Sequence, residues 1–148
     1  MPIPPLDEDG LLPEGIHECS LEEIRARFGS FQASDQRPRL FAKLGAFLRD
    51  AEASKAVVGV LVNGSFVTGK ARPNDIDLIV VVPREHDFLA DLSPGAYNVL
   101  SKRRVRQRFG FDLLVAREGS IEYERWTEFF QEVRLEPGRR KGILKLRL

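Results

Sequence analysis

In the stretch Leu61-Val62-Asn63-Gly64-Ser65-Phe66-Val67-Thr68-Gly69-Lys70-Ala71-Arg72-Pro73-Asn74-Asp75-Ile76-Asp77-Leu78-Ile79-Val80-Val81-Val82, an apolar run enters a Gly-Ser turn. A polar loop follows, and two aspartates one residue apart then open a second apolar run. Carboxylates pack poorly on a half-buried sheet and are depleted in strands, so a pair of them at the mouth of Leu-Ile-Val-Val-Val calls for a reason. Side chains alternate along a strand, so a strand from about Asp75 to Val82 places Asp75 and Asp77 on one face with Ile79 and Val81. Ile76, Leu78, Val80 and Val82 then form a wholly apolar face. Only the first end of this strand is polar, which puts that end at a rim. Two carboxylates so close raise each other's pKa unless a cation sits between them. Oxygen-only ligands on a rigid strand suit Mg2+ or Mn2+.

Working outward, Ala56 to Val62 reads as a strand covered on both faces, because it is apolar almost throughout. Asn63-Gly64 is by itself a hairpin turn signal, but a hairpin alone leaves the two aspartates unexplained. Gly64-Ser65-Phe66-Val67-Thr68-Gly69-Lys70 also satisfies the first seven positions of a phosphate-binding P-loop. The eighth, which should be Ser or Thr, is Ala71, and Pro73 forbids the helix that should follow, so a P-loop is rejected. A third apolar segment, Phe109 to Ala116, carries Asp112 between Phe111 and Leu113 and reads as a strand.

This arrangement resembles the nucleotidyltransferase superfamily with the polymerase beta-like fold. Its motif is an apolar strand ending in Gly-Ser, a loop of about ten residues, Asp-x-Asp on the next strand, and a third carboxylate on a later strand. Gly64-Ser65, Asp75-Ile76-Asp77 and Phe111-Asp112-Leu113 carry the likeness, over roughly residues 56 to 116. It is nearest the small, minimal nucleotidyltransferases of bacteria and archaea. The ends, Leu12-Pro13-Glu14-Gly15-Ile16-His17 and Lys141-Gly142-Ile143-Leu144-Lys145-Leu146, look like a little-characterised bacterial branch of that group.

The resemblance implies that Asp75 and Asp77 hold the metal ions that bridge the nucleotide phosphates. It implies that Asp112 holds the second ion and helps to deprotonate the acceptor hydroxyl. Gly64 would let a phosphate approach the backbone, and Ser65 would offer it a hydroxyl and an N–H. Lys70 and Arg72, in the loop, are candidate phosphate-neutralising cations. The implied reaction moves a nucleoside monophosphate from an NTP, with ATP the expected nucleotide, to a hydroxyl on a protein, RNA or small molecule. Minimal members often form half of a toxin-antitoxin pair, so the implied acceptor includes a partner protein or tRNA. Phe66 stands where many members have Arg or Tyr. A contrasting expectation is therefore a module that keeps the fold without the chemistry and binds a protein partner.

Composition fits one domain. With 148 residues, 43% hydrophobic and 30% charged, the chain is long enough for a core. Residues 1–14, with four prolines and four acids, are expected to be extended or loosely held. No membrane span and no secretory signal is expected, and the single Cys19 reads as a plain thiol in a reducing cytoplasm. A net charge of +1 argues against bulk nucleic-acid binding, although Lys102, Arg103, Arg104, Arg106 and Arg108 cluster.

The remaining signals are helical. Ser20 and Glu23 make a capping box for a short helix ending at Gly29. Pro38 opens a longer helix through Ser54, with Leu40, Phe41, Leu44, Phe47 and Leu48 as its stripe. Phe88 to Asp91 suggests a helical turn. Ser93-Pro94 caps one helix with Tyr97, Leu100 and Val105 inward. A last amphipathic helix spans Ile121 to Arg134, with Trp126, Phe129 and Phe130 as core. Gly142 to Leu148 alternates as a short strand. The sum is an α+β fold, a small mixed β-sheet with helices packed mainly on one side.

Overall fold

A computed structural model describes residues 3–30 and 34–148. Five strands, β1 (Gly15–Glu18), β2 (Gly59–Asn63), β3 (Asp77–Val82), β4 (Asp112–Arg117) and β5 (Gly142–Arg147), form one sheet in the order β1-β5-β2-β3-β4. The pairs β1–β5 and β3–β4 are parallel, while β5–β2 and β2–β3 are antiparallel, so the sheet is mixed. The helices are α1 (Leu21–Phe28), α2 (Gln36–Ser54), α3 (Pro94–Leu100), α4 (Lys102–Phe109) and α5 (Ile121–Phe130).

The alternation of each strand sorts its side chains between two cores. Val60, Val62, Leu78, Val80, Leu113 and Leu144 face one way and are buried against α1, α2, α3 and α4 through Ile24, Phe28, Phe47, Val99 and Phe109. Leu61, Ile79, Val81, Ala116 and Ile143 face the other way and meet Phe130 and Trp126 of α5. Four helices thus cover one face and one covers part of the other. This is the small α+β sheet expected, with its uncovered margin beside α5.

Several elements differ from expectation for local reasons. The segment before β1 is neither wholly extended nor loose: it turns at Asp7–Gly10, where the Gly10 N–H donates to the Asp7 carbonyl at 3.0 Å, Ile3 and Leu12 are buried, and the Gly69 N–H donates to the Gly10 carbonyl at 2.8 Å. Met1 and Pro2 lie outside the described residues. Strand β1 was not expected, since it is four residues long, half of them exposed. The basic helix is two helices. Ser101 has extended backbone (φ −84, ψ 119) and caps α4, its Oγ accepting the Arg104 N–H at 3.3 Å. Tyr97 is consequently exposed rather than inward, whereas Val105 is fully buried. Helix α5 stops at Phe130 because Gln131 turns to other partners. Its carbonyl accepts the Lys141 N–H at 2.8 Å, and its side-chain oxygen accepts the Gly15 N–H at 2.8 Å. Strand β4 begins at Asp112 because Gly110, in the left-handed region at φ 77, ends α4 first. Residues 88–91 form turns without a helix.

The loop between β2 and β3 is held from below by Arg37 of α2, which is 1% exposed. Its guanidinium donates to four carbonyls: Phe28 at 3.1 Å, Phe66 at 2.8 Å, Thr68 at 2.6 Å and Lys70 at 2.6 Å. It also lies over the rings of Phe28 and Phe66, at 5.9 and 5.8 Å from their centroids. Burial lowers its pKa, yet an arginine keeps its charge under such a shift. Phe66 is therefore a core residue, 0% exposed, and its ring does not belong to the surface of the loop.

Replacing Arg37 with Met keeps the volume but leaves these carbonyls without their donor. An unsatisfied buried polar group costs about 1–3 kcal/mol. Arg37→Met is expected to lower stability by roughly 3 kcal/mol in urea denaturation, and Arg37→Lys, which lacks the planar fork, by nearly as much. An unchanged midpoint for both would show that the loop does not depend on this residue.

Candidate functional site

The C-terminal end of β2 and the N-terminal ends of β3, β4 and β5 meet along one edge of the sheet, and there the polar residues collect. Asn63 is paired with Asp77, and Asp77 with Asp112, so the three stand in a row across neighbouring strands. Each shares its face with residues of the α5 side: Leu61 for Asn63, Ile79 for Asp77 and Leu114 for Asp112. Adjacent strands run about 4.8 Å apart, so each member of the row is one strand spacing from the next.

Asp75 arrives differently. It does not belong to β3 but lies in the loop before it, exposed. Gly64 leaves β2 at φ 99, which breaks the ladder with the β3 side at Asn63–Asp77. A Cβ on Gly64 would sit 2.7 Å from the Asp75 carbonyl oxygen, so only glycine fits. Ser65 then becomes the hub of the turn. Its N–H donates to Asp75 Oδ1 at 2.8 Å, and its hydroxyl makes a short hydrogen bond to the same oxygen. The Ser65 hydroxyl also accepts the N–H groups of Asn74 at 3.0 Å and Asp75 at 3.2 Å. The Asp75 carboxylate thus occupies the donors that were expected to serve a phosphate. The carbonyl of Asp75 accepts the Phe66 N–H at 3.2 Å, which binds the two ends of the loop together. Ser65 to Val67 form a single 3-10 turn, and no helix follows Lys70. With β2 and β3 antiparallel, this is not the architecture of a P-loop.

Gly64, Asn63, Asp75 and Asp77 line a cleft of about 880 Å3 whose opposite wall is the segment from α5 to β5, including Arg134 and Lys141. A shallower hollow of about 250 Å3 adjoins it and is shared by Asp77, Asp112, Phe129 and Phe130. Asp77 therefore belongs to both. Burial raises its pKa, the charge of Asp75 raises it further, and Lys141 and Arg134 oppose the shift. Burial lowers the pKa of Lys141, against the pull of Asp77 and Asp75. Asn63 is 7% exposed; its Nδ2 donates to the Phe130 carbonyl at 3.3 Å, and its Oδ1 has no partner among the described residues.

Asp112 is exposed and forms a short ion pair with Arg106 of α4. Lys70 and Arg72 are also exposed, and neither lines the cleft. Among the described residues, no three His, Cys, Asp or Glu side chains are grouped so as to hold one metal ion. Burial pushes the Cys19 thiol up to about 11, which keeps it protonated at neutral pH and unfit as a nucleophile. Among the described residues, no helix is long and apolar enough to cross a membrane.

Four residues of the cleft were missed by sequence reasoning. Asn63 was read only as a turn residue. Lys141 stood only in the C-terminal stretch that carries the family likeness and Arg134 only at the end of the last helix, with nothing to aim them at the aspartates. Phe129 was assigned to the core with Trp126 and Phe130. It is instead 58% exposed and overhangs the hollow, while its neighbour Phe130 is 6% exposed. Helical spacing could have separated the two, since adjacent residues on a helix point about 100° apart.

A family model described as a family of unknown function, DUF6932, matches residues 4–147. The chain belongs to that family. No curated protein and no solved structure matches it. The match takes in the whole cleft, from Gly64 and the aspartates to the wall that ends at Lys141, so the site lies within the region that defines a DUF6932 member.

Two outcomes follow from this geometry. Because burial and Asp75 both disfavour the charged form of Asp77, its carboxylate costs stability above its folded pKa. That cost is relieved as pH falls through the folded pKa toward the unfolded value of 3.8. Asp77→Asn is expected to raise the melting temperature of chelator-treated protein at pH 7 by about 2 °C, with the gain shrinking in acid. A lower melting temperature at pH 7 would contradict the stated environment. Gly64→Ala, by contrast, is expected to destabilise by about 1–3 kcal/mol, since both the φ and the Asp75 carbonyl oppose a side chain.

Proposed function

We propose that the protein is a divalent-metal-dependent nucleotidyltransferase, moving a nucleoside monophosphate from an NTP to a hydroxyl acceptor. The observation that carries this is the row Asn63, Asp77, Asp112 on three neighbouring strands, with Asp75 and the Gly64-Ser65 turn beside its first members. The donor set fits a hard cation. Asp75 and Asp77 would supply carboxylate oxygens, and Asn63, which lines the same cleft and whose buried Oδ1 has no partner among the described residues, would supply a neutral one. Asp112 could add a further oxygen by releasing Arg106.

A bound Mg2+ or Mn2+ would neutralise phosphate charge and stabilise the attacking and leaving oxygens. The protein's own residues do the rest. Gly64, having no side chain, leaves the turn open to a phosphate oxygen, and the Ser65 N–H, which donates to Asp75 Oδ1, would be free to donate to a phosphate if that carboxylate were engaged elsewhere. The acceptor hydroxyl oxygen attacks the α-phosphorus while the bond to the bridging oxygen breaks and pyrophosphate departs. The hydroxyl proton passes to Asp112, whose exposed position at the edge lets an acceptor reach it. The acceptor class is a protein, an RNA or a small molecule, and a toxin-antitoxin setting would supply a partner protein or tRNA.

Incubation with labelled NTPs, Mg2+ and cell lysate is expected to transfer label to an acceptor. Asp77→Asn should abolish transfer, and Asp112→Asn should lower it roughly 100-fold or more. One observation favours the contrasting proposal of a partner-binding module without chemistry: Asp112 is committed to Arg106. Arg106→Ala separates the two. Transfer that persists or rises in Arg106→Ala fits an enzyme with a releasable Asp112. Absence of Mg2+-dependent NTP binding by calorimetry, in wild type and Arg106→Ala alike, fits the module.

A further inference from the structure

Resting on the nucleotide chemistry just proposed, we infer that the connection from α5 to β5 is the wall that holds the nucleotide, with Lys141 and Arg134 on the phosphates and Phe129 under the base. Neither the sequence motif nor the family match assigns these residues a role.

The placement of Lys141 comes from the strand it precedes. Ile143 of β5 packs on the α5 face with Leu61 and Ile79. Two residues earlier, Lys141 falls on the same face, at the sheet end where Asn63 and Asp77 stand. By the β2–β5 register Ile143 stands opposite Asn63, so Lys141 lies just past the end of the row, on the same face as its amide and two carboxylates. Lys141 is half-buried, and burial of an ammonium without an ion pair is unfavourable.

The other cations of the wall are already engaged. Arg139 pairs with Asp9 at 2.6 Å and Glu136 at 3.1 Å, and Arg140 with Glu14 at 3.0 Å and Glu128 at 2.7 Å. The side chains of Arg134 and Lys141 make no hydrogen bond or ion pair among the described residues, yet both feel Asp77 across the cleft. They are the two cations of this wall ready for an anion. A polyphosphate held between them and the metal-binding carboxylates would satisfy both sides of the cleft at once.

The apolar part lies next to this. Phe129 overhangs the cleft and the adjoining hollow with more than half of its surface exposed. Leu135, 93% exposed and held in the left-handed region at φ 65, lines the cleft as well. An exposed aromatic face beside two unpaired cations matches a base attached to its phosphates, and a cleft of about 880 Å3 has room for the whole nucleotide.

Two ligands test the two halves separately in the full chain with Mg2+: a fluorescent ATP analogue and inorganic tripolyphosphate, which has the phosphates but no base. Lys141→Met, close in volume, is expected to weaken both about tenfold, with Lys141→Arg recovering much of the loss. Phe129→Ala, at an exposed position that folding tolerates, is expected to weaken the ATP analogue about tenfold and leave tripolyphosphate unchanged. Melting curves confirm that each variant is folded. Unchanged binding of both ligands by folded Lys141→Met overturns the phosphate assignment, and equal loss of both in Phe129→Ala overturns the base assignment. If those variants bind as wild type while Asp77→Asn loses Mg2+-dependent binding, the wall is wrong and nucleotidyl transfer stands. If wild type binds neither ligand, both fall.

Discussion

The two-residue period of a β-strand, fixed by the pairing of three neighbours, is what everything at the sheet edge depends on. Asn63, Asp77 and Asp112 face the same way because β2, β3 and β4 are locked in register by their apolar residues further along. A slip of one residue in β3 would turn Asp77 toward Phe47 and Phe111 and expose Leu78. The hydrophobic cores on the two faces forbid that slip, so the packing of Val80 and Ile79 on opposite sides also aims the carboxylate. The stability of the sheet and the orientation of its polar end have one cause.

The turn beside this edge is over-determined in another way. Arg37 gathers carbonyls from α1 and from the loop, whereas Ser65 gathers the loop's far end through Asn74 and Asp75. One device works from the buried side and the other from the surface. Between them they keep Gly64 in a conformation that other residues resist. Asp75 satisfies the Ser65 donors in the meantime, so the turn is complete before any ligand arrives. Such pre-organisation lowers the ordering cost of binding.

Much of this was legible in the sequence. The apolar runs gave β2, β3 and β4, and the capping box at Ser20 and Glu23 formed as read, with both reciprocal bonds present. The acidic residues at the polar ends of β3 and β4 announced the edge. What stayed hidden was whatever depends on distant partners. Arg37 serves backbone carbonyls, which leave no trace in residue identity. Strand β1 takes its order from β5, at the other end of the chain. Asp75 looked like a strand residue because alternation continues through it, but the positive φ of Gly64 had already ended the pairing. Phe129 looked like core because aromatic residues usually are, and its neighbour Phe130 took the core position instead.

The pairing of β1 with β5 joins Gly15 to Gly142, so the sheet is sewn shut by nearly the first and nearly the last residues described. Contacts of such long range are slow to form, because most of the chain must be in place first. On the ribosome, a growing chain that has emerged only as far as α5 carries both strand-borne aspartates but lacks the facing wall and Lys141. The cleft therefore takes shape only after the segment from α5 to β5 has been made, later than the strands that carry the aspartates.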